Sequence, residues 1–426
     1  MDKRMVFEKI KKFLVVMRKI SAGKVLLIWA LTMAAGVFLF ILLAGNPLGR
    51  NVTLVFASWW EDELDGEALT KLSAEYEAEN QGITIKFEKM SWEEILELLE
   101  GKRHKETGKS IQKLSSPDIF SIDPYAIYDL EKNSLLAVLE NDKDASANVV
   151  SIISFIHPLY YNIDLLEEAG FDRPPKNQTE FLSYVQRLKE TGVNGAGLAL
   201  GDPSNISRQI LSWIWAAAGN PESSEPFNFT AKEVIDTLNF LNQLKQNLFG
   251  NPFELNEAEL LEAFGKGKIG MMIGSIADIQ ELKTTKINFS ITTIPAQASY
   301  SKKPVFPLTV WYAGINSKCE FQEEAKDFIS FLKKNSGTIA EAAYAVPGNE
   351  TLNRELSKKD PHYTKAFDMY EAGEMVRELY PNNNRINKII YREVELMFQG
   401  NKTPEQCAHA IQQEWEWLSG ALPAVY

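Results

Sequence analysis

The chain has 426 residues, of which 45% are hydrophobic and 24% are charged, as in an ordinary globular protein. This length exceeds the size at which a single hydrophobic core usually keeps growing, so two lobes are expected. The net charge is −12 at pH 7, and the sequence has no basic patch interleaved with aromatic residues, so nucleic acid is not expected as a partner.

The first apolar element is an uncharged run of 21 residues, 25–45. As a helix it is about 31 Å long, which matches a bilayer core of roughly 30 Å. Basic residues concentrate in the leader 1–24, so the leader is predicted to be cytoplasmic, with a transmembrane anchor at 25–46 and the body outside the cytoplasm. A cleaved secretory signal is the alternative, although such signals have shorter apolar regions.

Short apolar segments alternate with amphipathic helices after this span. Segments rich in β-branched and aromatic residues predict strands at residues 52–56, 83–87, 118–122, 269–273, 289–294 and 310–315. The alternation with helices predicts the α/β class with mostly parallel sheets. Beyond residue 344 the chain is expected to be wholly helical.

Several helix starts are indicated by capping residues. Capping-box spacing is found in three pairs, Ser91 with Glu94, Thr230 with Glu233, and Thr403 with Gln406. Asn177 and Asn256 are further N-cap candidates.

Motifs for catalysis and cofactors are incomplete. Residues 106–110 resemble the end of a phosphate-binding loop, but Arg103 stands where that loop needs glycine. The four histidines are far apart and lack metal-type spacing. The acidic group at 61–65 fits the start of a helix better than a pair of catalytic carboxylates. We therefore expect no enzyme activity, no metal and no cofactor.

Aromatic and polar residues at the ends of predicted strands are candidates for a binding site. Trp59 and Trp60 follow the first strand, Asp123 follows the third, and Ser275 follows the strand at 269–273. Ligands of open α/β sheets lie beyond the carboxyl ends of strands, and flat rings with hydrogen-bonding groups suit sugars. Trp213 is a further candidate on a helix at 206–218. A core position is the alternative for each tryptophan.

Five segments resemble the extracellular solute-binding proteins of ABC importers, of the maltose-binding type. They are Tyr160-Tyr161-Asn162 with the residues that follow it, Pro117-Asp118-Ile119, the run 263–272, Ala313-Gly314-Ile315-Asn316, and the run 400–405. The match keeps its order from about residue 52 to residue 418.

The resemblance implies a two-lobed periplasmic-binding-protein-like (Venus-flytrap) fold with three interlobe crossovers, near 156–158, 294–295 and 346–347. The first lobe is then 51–156 plus 296–345, and the second is 157–295 plus 346–426. Carried over by position, Tyr161 contacts the ligand, Asp123 lies in a polar cleft loop, and Trp311 lies close to the groove.

The chain departs from the maltose-binding pattern after the strand at 269–273. Ile276 stands where that protein has a cleft tryptophan, and Asp278 follows two residues later, so linear maltodextrin is not the expected ligand. The predicted function is capture of a carbohydrate for an ABC permease, by a monomer. A ligand sensor feeding a kinase or chemoreceptor and a carbohydrate-active enzyme are the alternatives. Amine and peptide ligands also stay open because the body is acidic.

Overall fold

The computed structural model describes residues 51–60, 67–101, 116–139, 148–219, 227–300, 303–376 and 383–418. The predicted leader and anchor at 1–46, the acidic group at 61–65 and the loop at 106–110 lie outside these ranges. None of the helices within them is long and apolar enough to cross a membrane.

Helices and strands alternate along most of the described chain. The strands are β1 (Val52–Ser58), β2 (Ile83–Lys89), β3 (Ile119–Ile122), β4 (Val150–Ile156), β5 (Leu159–Asn162), β6 (Asn194–Gly197), β7 (Ile269–Ile273), β8 (Phe289–Thr292), β9 (Val305–Ile315), β10 (Val346–Pro347) and β11 (Glu374–Val376). The helices are α1 (Glu67–Glu79), α2 (Trp92–Leu99), α3 (Ile127–Lys132), α4 (Ile163–Glu168), α5 (Gln178–Glu190), α6 (Ser212–Ala218), α7 (Lys232–Leu244), α8 (Glu257–Gly265), α9 (Asp278–Leu282), α10 (Gln322–Lys334), α11 (Ser336–Ala343), α12 (Asn353–Ser357), α13 (Pro361–Ala372), α14 (Asn383–Phe398) and α15 (Pro404–Leu418).

A seven-stranded sheet forms the centre of what we call the first lobe. Its strand order is β10-β4-β9-β3-β1-β2, and β11 pairs with β9 beside this path. β1 runs parallel to β3, whereas β9 runs antiparallel to both β3 and β4. Helix α1 buries Leu69, Leu72 and Tyr76 on one face, as the three-four spacing of these residues predicts.

A four-stranded sheet with the order β6-β7-β5-β8 forms the centre of the second lobe. β6 and β7 are parallel, but β5 is antiparallel to both β7 and β8. The expectation of mostly parallel sheets is therefore wrong, and both sheets are mixed. The reason is that strands such as β5 and β9 enter a sheet from the other lobe, against the direction of their neighbours.

The end of the chain differs from the wholly helical prediction. β10 pairs antiparallel with β4, and β11 pairs parallel with the first residues of β9. These strands are only two and three residues long, too short for an alternating pattern to be visible in the sequence.

Most of the predicted caps are present. Ser91 and Asn256 each form a complete capping box, with Glu94 and Glu259. Asn177 caps α5, and Thr403 exchanges hydrogen bonds with Gln406 at the start of α15.

The cap predicted at Thr230 is wrong. Helix α7 begins at Lys232, and its N-cap residue, Ala231, makes no side-chain cap. The Thr230 hydroxyl instead donates to Asn228 Oδ1 at 2.7 Å.

The Val52 amide donates to the carbonyl of Gly82, in the turn before β2, at 2.8 Å. Gly82 has a φ of 93°, which a glycine adopts without strain.

Candidate ligand-binding site

A cavity of about 400 Å³ is lined by residues of both lobes: Phe155, Leu261, Ala277, Asp278, Gln280, Glu281, Thr284 and Ala343. Phe155 lies on β4 and Ala343 ends α11, both in the first lobe. The other lining residues lie on α8, on α9 or directly before or after α9, in the second lobe. Gln280, Glu281 and Thr284 are exposed to solvent, so these polar side chains form the open side of the cavity.

The second-lobe wall is a tight loop between β7 and α9. Asp278 Oδ2 accepts from the Ser275 amide at 2.8 Å, and Ser275 Oγ accepts from the Ala277 amide at 3.2 Å. A Cβ on Gly274 would lie 2.5 Å from Asp278 Oδ2, so glycine is required for this close approach. The loop thereby fixes the carboxyl group of Asp278 at the cavity.

The environment of Asp278 disfavours its charged form. Burial raises the pKa of its carboxyl to about 7, with a further contribution from the negative charge of Glu257. The hydrogen bond from the Ser275 amide and the charge of Arg208 act in the opposite direction. A substantial fraction of Asp278 is therefore protonated near neutral pH.

Arg208 is held by acidic and amide groups beside the loop. Its Nε and Nη2 donate to Glu257 Oε1 and Oε2 at 2.9 and 3.0 Å, and Nη2 also contacts Asn205. Arg208 lies in a single turn of π-helix, Ser207–Leu211, a local form that is frequent at functional sites.

Three aromatic rings pack together at the first-lobe wall. Trp60 and Trp311 are parallel, with ring centroids 5.1 Å apart, and Phe155 packs edge-on against Trp311 at 5.3 Å. Trp60 is 0% exposed and Trp311 and Phe155 are each 5% exposed. Of the three residues, Phe155 is the one that lines the cavity.

The remaining predicted residues lie elsewhere. Trp59 packs edge-on against Trp92 at 6.1 Å, and the backbone carbonyl of Asp123 accepts from the Ala126 amide at 2.9 Å. Tyr161 is 9% exposed within the second-lobe core, with Lys365 Nζ 5.6 Å from its ring centroid.

Trp213 is a core residue in the structure. It is 1% exposed, and its ring contacts Phe181 and Phe240, each with centroids 5.0 Å away. Trp213 thus has the core position that was the alternative to a place in the binding site. The reason is that helix α6 is buried on several sides, with Ser212 to Ala217 all buried.

The cavity therefore brings together only part of the predicted set. Asp278 lines it, Ser275 positions Asp278, and Trp311 and Trp60 support Phe155. Sequence reasoning missed Phe155, Gln280 and Glu281. Phe155 lies within β4, a strand of mostly apolar residues that give no sign of which one lines a cavity, and the exposed face of α9 resembles any solvated helix.

A hydrogen bond joins the turn between β4 and β5 to the central strand β9. His157, between β4 and β5, places Nε2 at 2.9 Å from Oγ1 of Thr309 on β9. Burial lowers the pKa of His157 well below its usual value, and the charge of Arg208 lowers it further. The Tyr160 hydroxyl donates to the Ser275 carbonyl at 2.6 Å, which ties the cavity loop to β5.

Within the described ranges, no group of three or more His, Cys, Asp or Glu residues is placed to hold a metal ion.

Comparison with known proteins gives a consistent result. The family model described as bacterial extracellular solute-binding protein matches residues 60–339. The Escherichia coli protein YcjN, named as an ABC transporter periplasmic-binding protein, is 23% identical over 347 residues, covering 74% of this chain and 78% of its own. A binding protein of Brucella abortus is 24% identical over 296 residues, covering 63% of this chain and 68% of its own.

Two solved structures show the same fold. The GacH receptor of Streptomyces glaucescens, solved unliganded and with acarbose, has a TM-score of 0.72 at 15% identity, covering 88% of this chain and 100% of its own. Maltose-bound MalE3 of T. maritima has a TM-score of 0.68 at 18% identity, covering 86% of this chain and 100% of its own.

Proposed function

This chain belongs to the bacterial extracellular solute-binding proteins, and from that premise we propose that it captures a carbohydrate between its lobes and delivers it to an ABC permease. Family and fold are those of binding proteins, and membership places the body outside the cytoplasm. The observation on which the proposal depends is the cavity of about 400 Å³ with walls from both lobes.

The lining suits a small polar ligand with apolar faces. Phe155 offers a ring for the C–H face of a pyranose, while Asp278, Gln280 and Thr284 offer groups that hydrogen-bond hydroxyls. A volume of about 400 Å³ lies within the usual range of small-molecule sites, ~300–1,000 Å³. Solved structures of the same fold contain acarbose, tagatose and maltose, which supports a sugar as the ligand class.

Binding from two walls gives the ligand a way to change the shape of the protein. A ligand shifts an open–closed equilibrium only by its different affinity for the two forms. Phe155 and Ala343 on one side and α9 on the other side make contacts that exist together only when the lobes are close. We expect the closed form to be the one that a permease recognises.

A sugar panel tests this proposal. Thermal unfolding is measured with mono- and oligosaccharides, and any sugar that stabilises the protein is then titrated by calorimetry. Phe155→Ala should weaken binding about tenfold or more, since it removes a wall of the site. Tyr128→Ala is the control, because Tyr128 is an exposed aromatic residue of the first lobe. Equal affinity in both variants, or no response to any sugar, would refute the assignment.

We also propose that residues 25–46 tether the protein to the membrane as an uncleaved signal-anchor, so that the body stays near its permease. The full chain should remain in the membrane pellet after salt washing, and a variant that starts at residue 51 behind a cleavable signal should be released. A soluble product of the full chain that starts near residue 45 would contradict the anchor.

A further inference from the structure

The charged groups that the described residues contribute to the cavity wall are acidic. Asp278 and Glu281 contribute carboxyl groups, and no Lys or Arg is among the lining residues within the described ranges. Asp278 uses Oδ2 for the Ser275 amide, and Oδ1 has no hydrogen-bond partner among the described residues. One oxygen of a partly buried carboxyl group is therefore left for a ligand.

The nearby cations are already engaged with other groups. Arg208 forms its two-pronged pair with Glu257. Lys283, on the turn after α9, contacts Asp360. The charge of Arg208 offsets that of Asp278 only in part, and the charged form of Asp278 stays disfavoured by its surroundings. A buried charge without a partner is costly, and a ligand that supplies the opposite charge removes that cost.

The opposite wall also favours a cation. Phe155 lines the cavity, and aromatic rings attract an ammonium group placed over their face. The chain as a whole has a net charge of −12, which raises the local concentration of cations.

We infer that the ligand is a carbohydrate with a protonated amine, an amino sugar, whose ammonium group binds between Asp278 and Glu281 on one wall and Phe155 on the other. The inference rests on the proposed function and narrows its ligand class. The sugar ring is held as proposed above, and the amine gives selectivity against neutral sugars.

Calorimetry with matched ligands tests the inference. The probes are glucosamine, galactosamine and chitosan oligosaccharides, each paired with its N-acetylated counterpart, with glucose, maltose and putrescine in the same series. At least one amino sugar should bind about tenfold or more tighter than its acetylated partner, the effect of one charge-assisted hydrogen bond. Its binding near pH 6 should release protons, because the ammonium group favours the ionised form of Asp278.

Three variants locate the effect. Asp278→Asn and Glu281→Gln should remove most of the preference for the amine, and Asp278→Asn should also abolish proton release. The control is Glu262→Gln, which makes the same change of charge in the same lobe at an exposed pair with Lys266. Glu262→Gln should leave both the preference for the amine and the proton release unchanged.

The outcomes separate the two proposals. Neutral sugars that bind as tightly as amino sugars overturn the inference and leave carbohydrate capture standing. Putrescine binding without any sugar binding overturns both. A preference for the amine that survives in Asp278→Asn and Glu281→Gln overturns the inferred location.

Discussion

The indole rings of Trp60 and Trp311 lie parallel, with planes 10° apart and centroids separated by 5.1 Å. Trp60 follows β1, and Trp311 lies on β9, the strand that runs antiparallel to β3 and β4. The pair therefore fixes the end of β1 against the central strands of the first lobe, directly behind Phe155.

Trp311→Ala should destabilise the first lobe. Removing a buried tryptophan costs ~3–5 kcal/mol, since the cavity left behind deprives Trp60 and Phe155 of their packing partner. The free energy of unfolding, measured in urea, checks this. The control is Trp417→Ala on the last helix, at a residue that is 48% exposed, which should cost less than ~1 kcal/mol. Equal losses in the two variants would contradict the structural role of the pair.

Asp278 should make the protein less stable as pH rises. Its folded pKa of about 7 exceeds the ordinary value of 3.8, so the folded state binds a proton more tightly than the unfolded chain does. The resulting stability is present below about pH 4 and is lost as pH rises through about pH 7. Asp278→Asn should therefore raise the free energy of unfolding near pH 8 by ~1–3 kcal/mol. A variant less stable than the wild type near pH 8 would show that the carboxylate is compensated.

His157 should make the protein less stable as pH falls, the opposite of the effect of Asp278. Its pKa is lowered in the folded state by burial and by the charge of Arg208, so the unfolded chain binds the proton more tightly. Stability from this group is present above the ordinary pKa of about 6.5 and is lost as pH falls below it. His157→Gln should reduce the loss of stability between about pH 7 and pH 5. An unchanged pH profile would mean that His157 does not titrate on unfolding in this range.

Gly274→Ala should disrupt the cavity wall. The added Cβ would lie 2.5 Å from Asp278 Oδ2 and 3.2 Å from the ring of Tyr160, so the carboxyl group must move. We expect ligand affinity to fall about tenfold or more, as read by calorimetry with a ligand from the sugar panel. Gly265→Ala is the control, because its Cβ meets only side-chain carbons at 3.2 and 3.6 Å, at the end of α8.

Two threonines with the same capping-box spacing should behave differently. Thr403→Ala removes a side chain that accepts from the Gln406 amide at 3.2 Å, so α15 should lose ~1 kcal/mol. Thr230→Ala leaves α7 with the same N-cap residue, Ala231, and should change stability by less than ~0.5 kcal/mol. Urea unfolding of both variants compares them directly, and similar losses would indicate that Thr230 caps α7 after all.

Local patterns were sufficient for most of the structural features that depend on neighbours in sequence. The caps at Ser91, Asn177 and Asn256 and the buried face of α1 each involve residues a few positions apart. The one failed cap, at Thr230, shows the limit of such patterns, since Asn228 offers its hydroxyl another acceptor two residues away.

The sequence by itself determined the α/β class, most element positions and the family. Periodic burial and helix capping depend on residues that are close together in the chain, so short stretches of sequence are enough to reveal them. Only the tertiary structure decided which residues line the cavity. Phe155 and Asp278 are more than a hundred residues apart, and what brings them to one cavity is the mixed pairing of β9 and β5 with strands from distant parts of the chain. The same packing that places Phe155 at the cavity buries Trp60 and Trp213 elsewhere in the core, because an aromatic side chain takes its role from the neighbours that surround it.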